Sequence, residues 1–290
     1  MQKYLSPRQF AEAIGVSESS VRRWADDGQI QIARTAGGHR KILRTEAIRF
    51  IRETSADVLR PDLLEISEPN HRFQRSAAFG AQHDQLFKAL KRGDAEIVNG
   101  LLIRMYLNGV SVAEICDGPI RHAMYKIGTM WPKQKRAILV EHRATSICID
   151  ALHQLRSTFA KSTIRRNAVA VGGAPENDPY VLPSLMVTTV LADVGYRAVN
   201  LGPNTPLTVI SQSASELNAK LAWISFTSPV PKAETEVSLQ QAAKRLSRKK
   251  THLAVGGQAS SKYQLPSGKH THAFRSLSEM ADFAKTLLSW

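Results

Sequence analysis

Arg34-Thr35-Ala36-Gly37-Gly38-His39-Arg40-Lys41 is a basic run folded about two glycines, and a compact two-helix pattern precedes it. The first helix opens on Ser6-Pro7-Arg8-Gln9. Ser6 and Gln9 are spaced to cap each other, and Pro7 falls where a missing N–H costs nothing. Phe10, Ala11, Ala13 and Ile14 form its apolar face, and Gly15 ends it. Ser17 caps a second helix running from Glu18 to about Asp27, with Val21 and Trp24 facing inward and Ser19, Ser20, Arg22 and Arg23 outward. Ile30, Ile32 and Ile42 flank the Gly37-Gly38 turn as hairpin strands, and a third helix follows over Thr45–Glu53. Two short helices joined by a tight turn form a helix-turn-helix, whose second helix enters the major groove of duplex DNA. The hairpin is its wing, with Arg34, His39, Arg40 and Lys41 placed to grip phosphates.

The whole chain has 290 residues, 43% of them hydrophobic, enough for two or three domains with real cores. Net charge is +14, which suits a polyanionic partner. Residues 1–54 carry ten basic against six acidic side chains, so most of the excess lies further on. One part is Lys244-Arg245 and Arg248-Lys249-Lys250, at the end of a predicted helix, where a solvated face is the plain reading. Cys116 and Cys148 sit in separate apolar contexts, which suits a reducing cytoplasm better than a disulfide framework. There is no apolar run of about 18 residues and no signal-peptide pattern, so the expectation is a soluble, cytoplasmic protein with no membrane partner.

Four segments follow from the periodicity: a DNA-binding head over 1–54, a linker over 55–82, a four-helix bundle over 83–162 and an α/β domain over 163–290. The linker holds Pro61, Pro69 and Gly80, with one helical turn around Leu63. Helical spacing returns from His83 onward, with a break near Gly118-Pro119 and a last helix over about Ala137–Phe159. Apolar strands at 168–171, 198–201, 221–226 and 253–255 then alternate with helices, predicting a doubly wound, flavodoxin-like parallel sheet. Ligands are expected at the carboxyl ends of its strands. The fold class is therefore multidomain, α and α/β.

The head, from Val21-Arg22-Arg23-Trp24 through Gly28 to the wing, resembles the DNA-binding head of the MerR family and of small excisionase-type proteins. The remainder resembles the cobalamin-binding module. Trp131, nine residues and then Glu141-His142 match the cap over the upper, adenosyl face. Ser225-Phe226-Thr227 and Gly256-Gly257 match the motifs around the nucleotide tail. Together they resemble CarH/CarA-type photoreceptor repressors, which implies adenosylcobalamin as cofactor, light-dependent change of oligomeric state, a dimer or tetramer formed through the C-terminal module, and operator DNA as partner. On spacing alone, Trp131 also reads as an interhelical plug and Glu141 and His142 as surface groups.

One departure separates the chain from that family. The loop after the first strand should carry Asp/Glu-x-His-x-x-Gly, whose histidine ligates cobalt. Here it reads Asp178-Pro179-Tyr180-Val181-Leu182-Pro183, with tyrosine in place of the histidine and proline in place of the glycine. Neutral phenol is a poor cobalt ligand, and Asp178 has no histidine to orient. No protein metal ligand is expected. Three readings stay open for the domain: cobalamin without a lower protein ligand, a different small-molecule effector, or an empty protein-interaction module. The leading function is a transcription regulator, not an enzyme. A corrinoid-dependent enzyme lacks its histidine and any activating constellation, and an excisionase-like DNA-bending protein leaves the C-terminal module unused.

Overall fold

The computed structural model describes residues 4–64, 66, 79–130, 137–159 and 168–288. The chain divides into two compact units, Met1–Ser111 with Gly118–Lys161, and Val112–Asp117 with Ser162–Trp290.

The first unit begins with β1 (Tyr4–Leu5), α1 (Pro7–Ile14) and α2 (Glu18–Asp26), followed by β2 (Ile32–Arg34), β3 (Arg40–Leu43) and α3 (Arg44–Thr54). The capping box on α1 forms as its sequence predicts: Gln9 N–H donates to Ser6 Oγ at 3.2 Å and Ser6 N–H to Gln9 Oε1 at 2.9 Å. Ser17 Oγ accepts from the Ser20 N–H at 3.1 Å and starts α2. Gly38 takes φ 77° at the hairpin turn, a conformation in which a Cβ would be strained. β1 was not anticipated. It pairs with β3, Leu5 opposite Ile42, and completes a small sheet in the order β1-β3-β2. Under that sheet Phe10, Val21, Ile30, Ile42, Ile48, Phe50 and Ile51 are buried.

Pro61–Leu64 forms one 3-10 turn. The helices α4 (Phe79–Arg92), α5 (Ala95–Leu107), α7 (Arg121–Gly128) and α8 (Ala137–Arg156) then pack on one another around Leu86, Leu90, Leu102, Met105, Ile127, Cys148 and Leu152. α3 meets α5, where the Arg52 guanidinium lies 3.5 Å from the centre of the Tyr106 ring. A cation over an aromatic face contributes on the order of 1 kcal/mol. Both cysteines are free and buried, and burial pushes the Cys148 thiol up to about 12.

In the second unit, α6 (Val112–Ile115) is the start of the interrupted helix predicted from the sequence. Wide helical turns over Cys116–Ile120, around Gly118 and Pro119, separate it from α7. Asp117 gives a reason for that arrangement. Its carboxylate accepts from the backbone N–H of Leu277 at 3.0 Å and Ser278 at 2.9 Å, capping α12 (Leu277–Thr286). An anion on the open N–H groups of a helix start is stabilising.

The sheet contains β4 (Val169–Gly173), β5 (Arg197–Asn200), β6 (Leu221–Ser225), β7 (His252–Gly256) and β8 (Thr271–Ala273), all parallel, in the order β5-β4-β6-β7-β8. This is the flavodoxin-like order 2-1-3-4-5. α9 (Leu182–Val194) packs with α12, and α10 (Leu207–Glu216) with α11 (Lys232–Arg248). Val171, Ile224 and Val255 meet Leu207, Ile210, Leu239 and Leu246 in one core layer. Alternate residues serve the other layer, where Trp223 is buried and its Nε1–H donates to Ser184 Oγ at 3.1 Å. Trp223 explains Gly172 on the neighbouring strand, since a Cβ there would come 2.2 Å from the Trp223 carbonyl oxygen.

At the opposite, amino edge, three histidines meet. His252 Nδ1 lies 3.0 Å from His272 Nε2, and the His252 and His270 rings are 4.9 Å apart. Burial first, and then the neighbouring His272 and His270, hold the His252 ring down at about 4, against an ordinary value of 6.5. The unfolded chain therefore takes up this proton at a higher pH than the folded one, and the contribution to stability is fully present above about 6.5 and is lost as pH falls toward about 4. The ring is only part-buried, so solvent screening reduces the effect to on the order of 1–2 kcal/mol. Urea unfolding at a series of pH values across that window should show the decline, and His252→Asn should flatten it.

Candidate DNA interface and cofactor crevice

The head presents the residues expected to meet DNA, and their surroundings divide them. Arg23, Arg34 and His39 are exposed, and Lys41 is half-buried with no ion-pair partner among the described residues. Arg22 is exposed and bridged to Glu18 one turn earlier, Nη2 to Oε1 at 2.6 Å. An exposed i,i+4 pair of this kind is worth only a few tenths of a kcal/mol, so a phosphate or base can take it over. Ser19 and Ser20 hydroxyls lie 2.8 and 2.9 Å from Ser17 Oγ, clustered at the start of α2.

Arg40 is placed differently. Its guanidinium forks onto Asp26, at 2.7 and 3.2 Å, and also donates to the Arg22 carbonyl at 3.3 Å. This joins the wing strand β3 to the end of α2. A bidentate fork of this kind fixes geometry as well as adding energy. From sequence alone Arg40 reads as a DNA backbone contact; its partner Asp26 lies 14 residues earlier, on another element.

The second candidate site lies where β4 parts from its neighbours β5 and β6, the point at which such sheets bind ligands beyond the strand ends. Two loops meet there, Ala174–Val181 after β4 and Phe226–Pro231 after β6. Asp178 joins them. Its fully buried carboxylate accepts from Thr227 N–H at 2.5 Å, Ser228 N–H at 3.1 Å and Tyr180 N–H at 3.3 Å. Its own carbonyl accepts from Asn204 N–H at 3.0 Å. Asp178, which has no histidine to orient, is thus the staple of the crevice. Nothing in the sequence announces this, because its partners are backbone groups about 50 residues away.

Tyr180, at the position of the expected ligand histidine, is 46% exposed. Pro183 lies in the first turn of α9, where its missing N–H is harmless. Ser225 ends β6 and is buried. Thr227 Oγ1 is buried with no hydrogen-bond partner. Gly257 has φ +99° and sits so close to the β6 loop that a Cβ would fall 2.2 Å from the Phe226 carbonyl oxygen; beside it, Gly256 accepts from the Phe226 N–H at 2.8 Å. Glu141 is half-buried and His142 exposed, one turn into α8, and Trp131 lies outside the described residues. Among the described residues no group of three His, Cys, Asp or Glu is placed to hold a metal ion, and no helix is long and apolar enough to cross a membrane.

Two family profiles match the chain: a helix-turn-helix domain over residues 4–55 and a B12 binding domain over 82–156. No curated protein matches. Among solved structures, the monomethylamine corrinoid protein of Methanosarcina barkeri is similar over 72% of this chain and all of its own, at 16% identity and a TM-score of 0.51. A cobalamin-binding protein from Desulfitobacterium hafniense aligns with 73% of this chain and 98% of its own, at 16% identity and a TM-score of 0.35. The fold is thus a helix-turn-helix head joined to a B12-binding type of architecture, which supports cobalamin as the cofactor class and DNA as the partner of the head.

The residues present fit that cofactor unevenly. The orphaned Thr227 Oγ1 is a buried polar atom of the kind a polar ligand tail satisfies. Ligation of cobalt by Tyr180 does not fit, since neutral phenol is a poor donor and phenolate is costly near neutral pH.

Proposed function

We propose that this protein is a transcription regulator that binds duplex DNA through its head and a corrinoid at the carboxyl edge of its α/β sheet, with no protein ligand on the lower face of cobalt. The observation that carries the reading is the presence, in one chain, of a winged helix-turn-helix and a B12 binding domain. Ser19, Ser20, Arg22 and Arg23 face the groove, while Arg34, His39 and Lys41 hold phosphates. Arg40 sets the angle of the wing. Ser225, Thr227, Gly256 and Gly257 would hold the tail of a bound corrinoid, and Trp131, Glu141 and His142 would cover its upper face. A bound alkylcobalamin supplies a light-sensitive carbon–cobalt bond. With such a group bound, illumination would alter how strongly copies of the chain associate as dimers or tetramers, and so how many heads meet a repeated operator. The protein acts in the cytoplasm and is not an enzyme.

A second reading is favoured by Asp178. It already fills the two N–H groups, of Thr227 and Ser228, that would otherwise greet an anionic ligand at the switch point. On that reading cobalamin is lost and the domain serves another effector or protein contacts alone.

One experiment separates the two. The full chain is mixed with adenosylcobalamin in the dark and desalted, and its spectrum is taken before and after green light. A retained corrin band that changes on illumination supports the sensor; a retained band that ignores light leaves a corrinoid-binding regulator without photosensing. A colourless protein fraction sinks the corrinoid reading.

A further inference from the structure

We propose that the α/β domain carries a second polyanion-binding surface, at the amino edge of its sheet, which holds the phosphate backbone of duplex DNA. The proposal rests on the reading of the chain as a DNA-binding regulator and adds a contact that the head does not supply.

Residues 237–278 contain no Asp or Glu, yet they include Lys244, Arg245, Arg248, Lys249, Lys250, Lys262, Lys269 and Arg275. The first three lie on the last turns of α11, and Lys249 and Lys250 form the turn that follows; all five are exposed. The fold adds to them from elsewhere in the sequence. Ser247 Oγ lies 3.3 Å from His270 Nδ1, which brings Lys269 and His270 against the end of α11. Lys262 and Arg275 follow the carboxyl ends of β7 and β8, so the amino-edge patch consists of Lys244, Arg245, Arg248, Lys249, Lys250 and Lys269. Among the described residues none of these six forms an ion pair, whereas Lys232 and Lys285, flanking the stretch, are both paired to carboxylates.

A helix C-terminus favours cations, but that effect fades within the last turn. It accounts neither for Lys269 nor for 42 residues without an acid. Lys250 adds a second observation. It adopts φ 57°, the left-handed conformation that glycine takes at no cost and that strains an L side chain. A lysine stands where the backbone favours glycine.

Unpaired cations of one sign, spread over a surface, match the repeating charge of a nucleic-acid backbone, where affinity comes from counterion release. An anionic membrane is the weaker fit. Membrane-surface helices also present an apolar face, and the apolar residues of α11 near the patch, Leu239, Ala242, Ala243 and Leu246, are all buried in the domain. In the sequence this run reads as a solvated face because only five of its members cluster within one short stretch.

The test uses the full chain and a random-sequence duplex, with affinity followed by anisotropy across a salt series. Three variants are compared with the parent. The first carries Gln for Lys244, Arg245, Arg248, Lys249 and Lys250. The second carries Gln for Lys88, Lys91, Arg121, Lys232 and Lys285, an equal charge loss elsewhere. The third carries Gln for Arg23, Arg34 and Lys41 in the head. The expected result is that the first variant flattens the plot of log affinity against log salt by about 2–4, at ~0.9 for each phosphate no longer neutralised, and the second far less. If the first and second variants behave alike, the patch is overturned while the head reading stands on the third. If the first variant loses affinity and the third does not, the patch stands and the head assignment falls. A parent that does not bind duplex DNA overturns both. A parent whose patch-dependent binding is to anionic phospholipid vesicles, and not to duplex, assigns the surface to a membrane and overturns the proposal.

Discussion

Replacing Asp178 by alanine should lower the unfolding free energy by about 3–5 kcal/mol, the range for removing the acceptor of a buried charge-assisted network. Three backbone N–H groups converge on this carboxylate, and it is fully buried. Among the described residues its charge is met by N–H dipoles and not by a cation, the arrangement that makes such hydrogen bonds about twice as strong as neutral ones. Alanine leaves Thr227 and Ser228 N–H without that acceptor and separates the loops after β4 and β6. Asn keeps the shape but turns an NH₂ toward groups that can only donate, so Asp178→Asn should cost about 2 kcal/mol or more. Denaturant unfolding of the two variants checks both numbers. An Asp178→Ala protein as stable as the parent would mean that the staple contributes nothing. The variant also speaks to ligand binding. Once Asp178 no longer occupies the Thr227 and Ser228 N–H groups, they become available to an anionic tail, and a gain in corrinoid retention by a less stable protein would show that Asp178 competes with the ligand.

How much of this was legible in the sequence depended on the range of the interactions involved. The Ser6/Gln9 cap, the Gly38 turn and the broken helix at Gly118-Pro119 are written within a few residues, and each formed. The parallel sheet was legible because four of its five strands are apolar runs set between helices. β1 and β8, two and three residues long, are too short for any periodicity and exist only through their partners. α11 starts at Lys232, a turn before Val237, where its apolar helical spacing becomes readable. Ser225, Thr227 and Gly257 were assigned to the crevice by resemblance alone, whereas the reason Gly257 must be glycine is the Phe226 carbonyl beside it. The brace of Arg40 on Asp26, the staple of Asp178 and the gathering of Lys269 against α11 all join residues far apart in the chain. No local pattern encodes them.

Phe50→Ala should abolish sequence-specific DNA binding without removing any group that faces DNA. Phe50 is buried between Phe10, edge-on at 5.9 Å, and Trp24, at 4.9 Å. From α3 it touches aromatic residues of both α1 and α2. Truncating a buried Phe to Ala costs about 3–5 kcal/mol. A head of this size buries too little surface to absorb such a loss, since small domains have only a few kcal/mol in reserve. Arg40 cannot hold the wing against α2 alone, because its bridge to Asp26 is exposed on the carboxylate side. With α2 no longer fixed against the wing, the head cannot present side chains to base edges in register. Affinity for the operator should fall to the non-specific level, a loss on the order of 10³-fold or more. Phe50→Leu fills most of the same space and should cost far less. The contrast with Arg23→Gln and Lys41→Gln makes the test specific to architecture. Those variants should weaken binding and lower its salt dependence while thermal unfolding stays where it was, whereas Phe50→Ala should introduce an early transition in tryptophan fluorescence. If Phe50→Ala instead bound its operator at parental affinity, the aromatic trio would not be what positions α2.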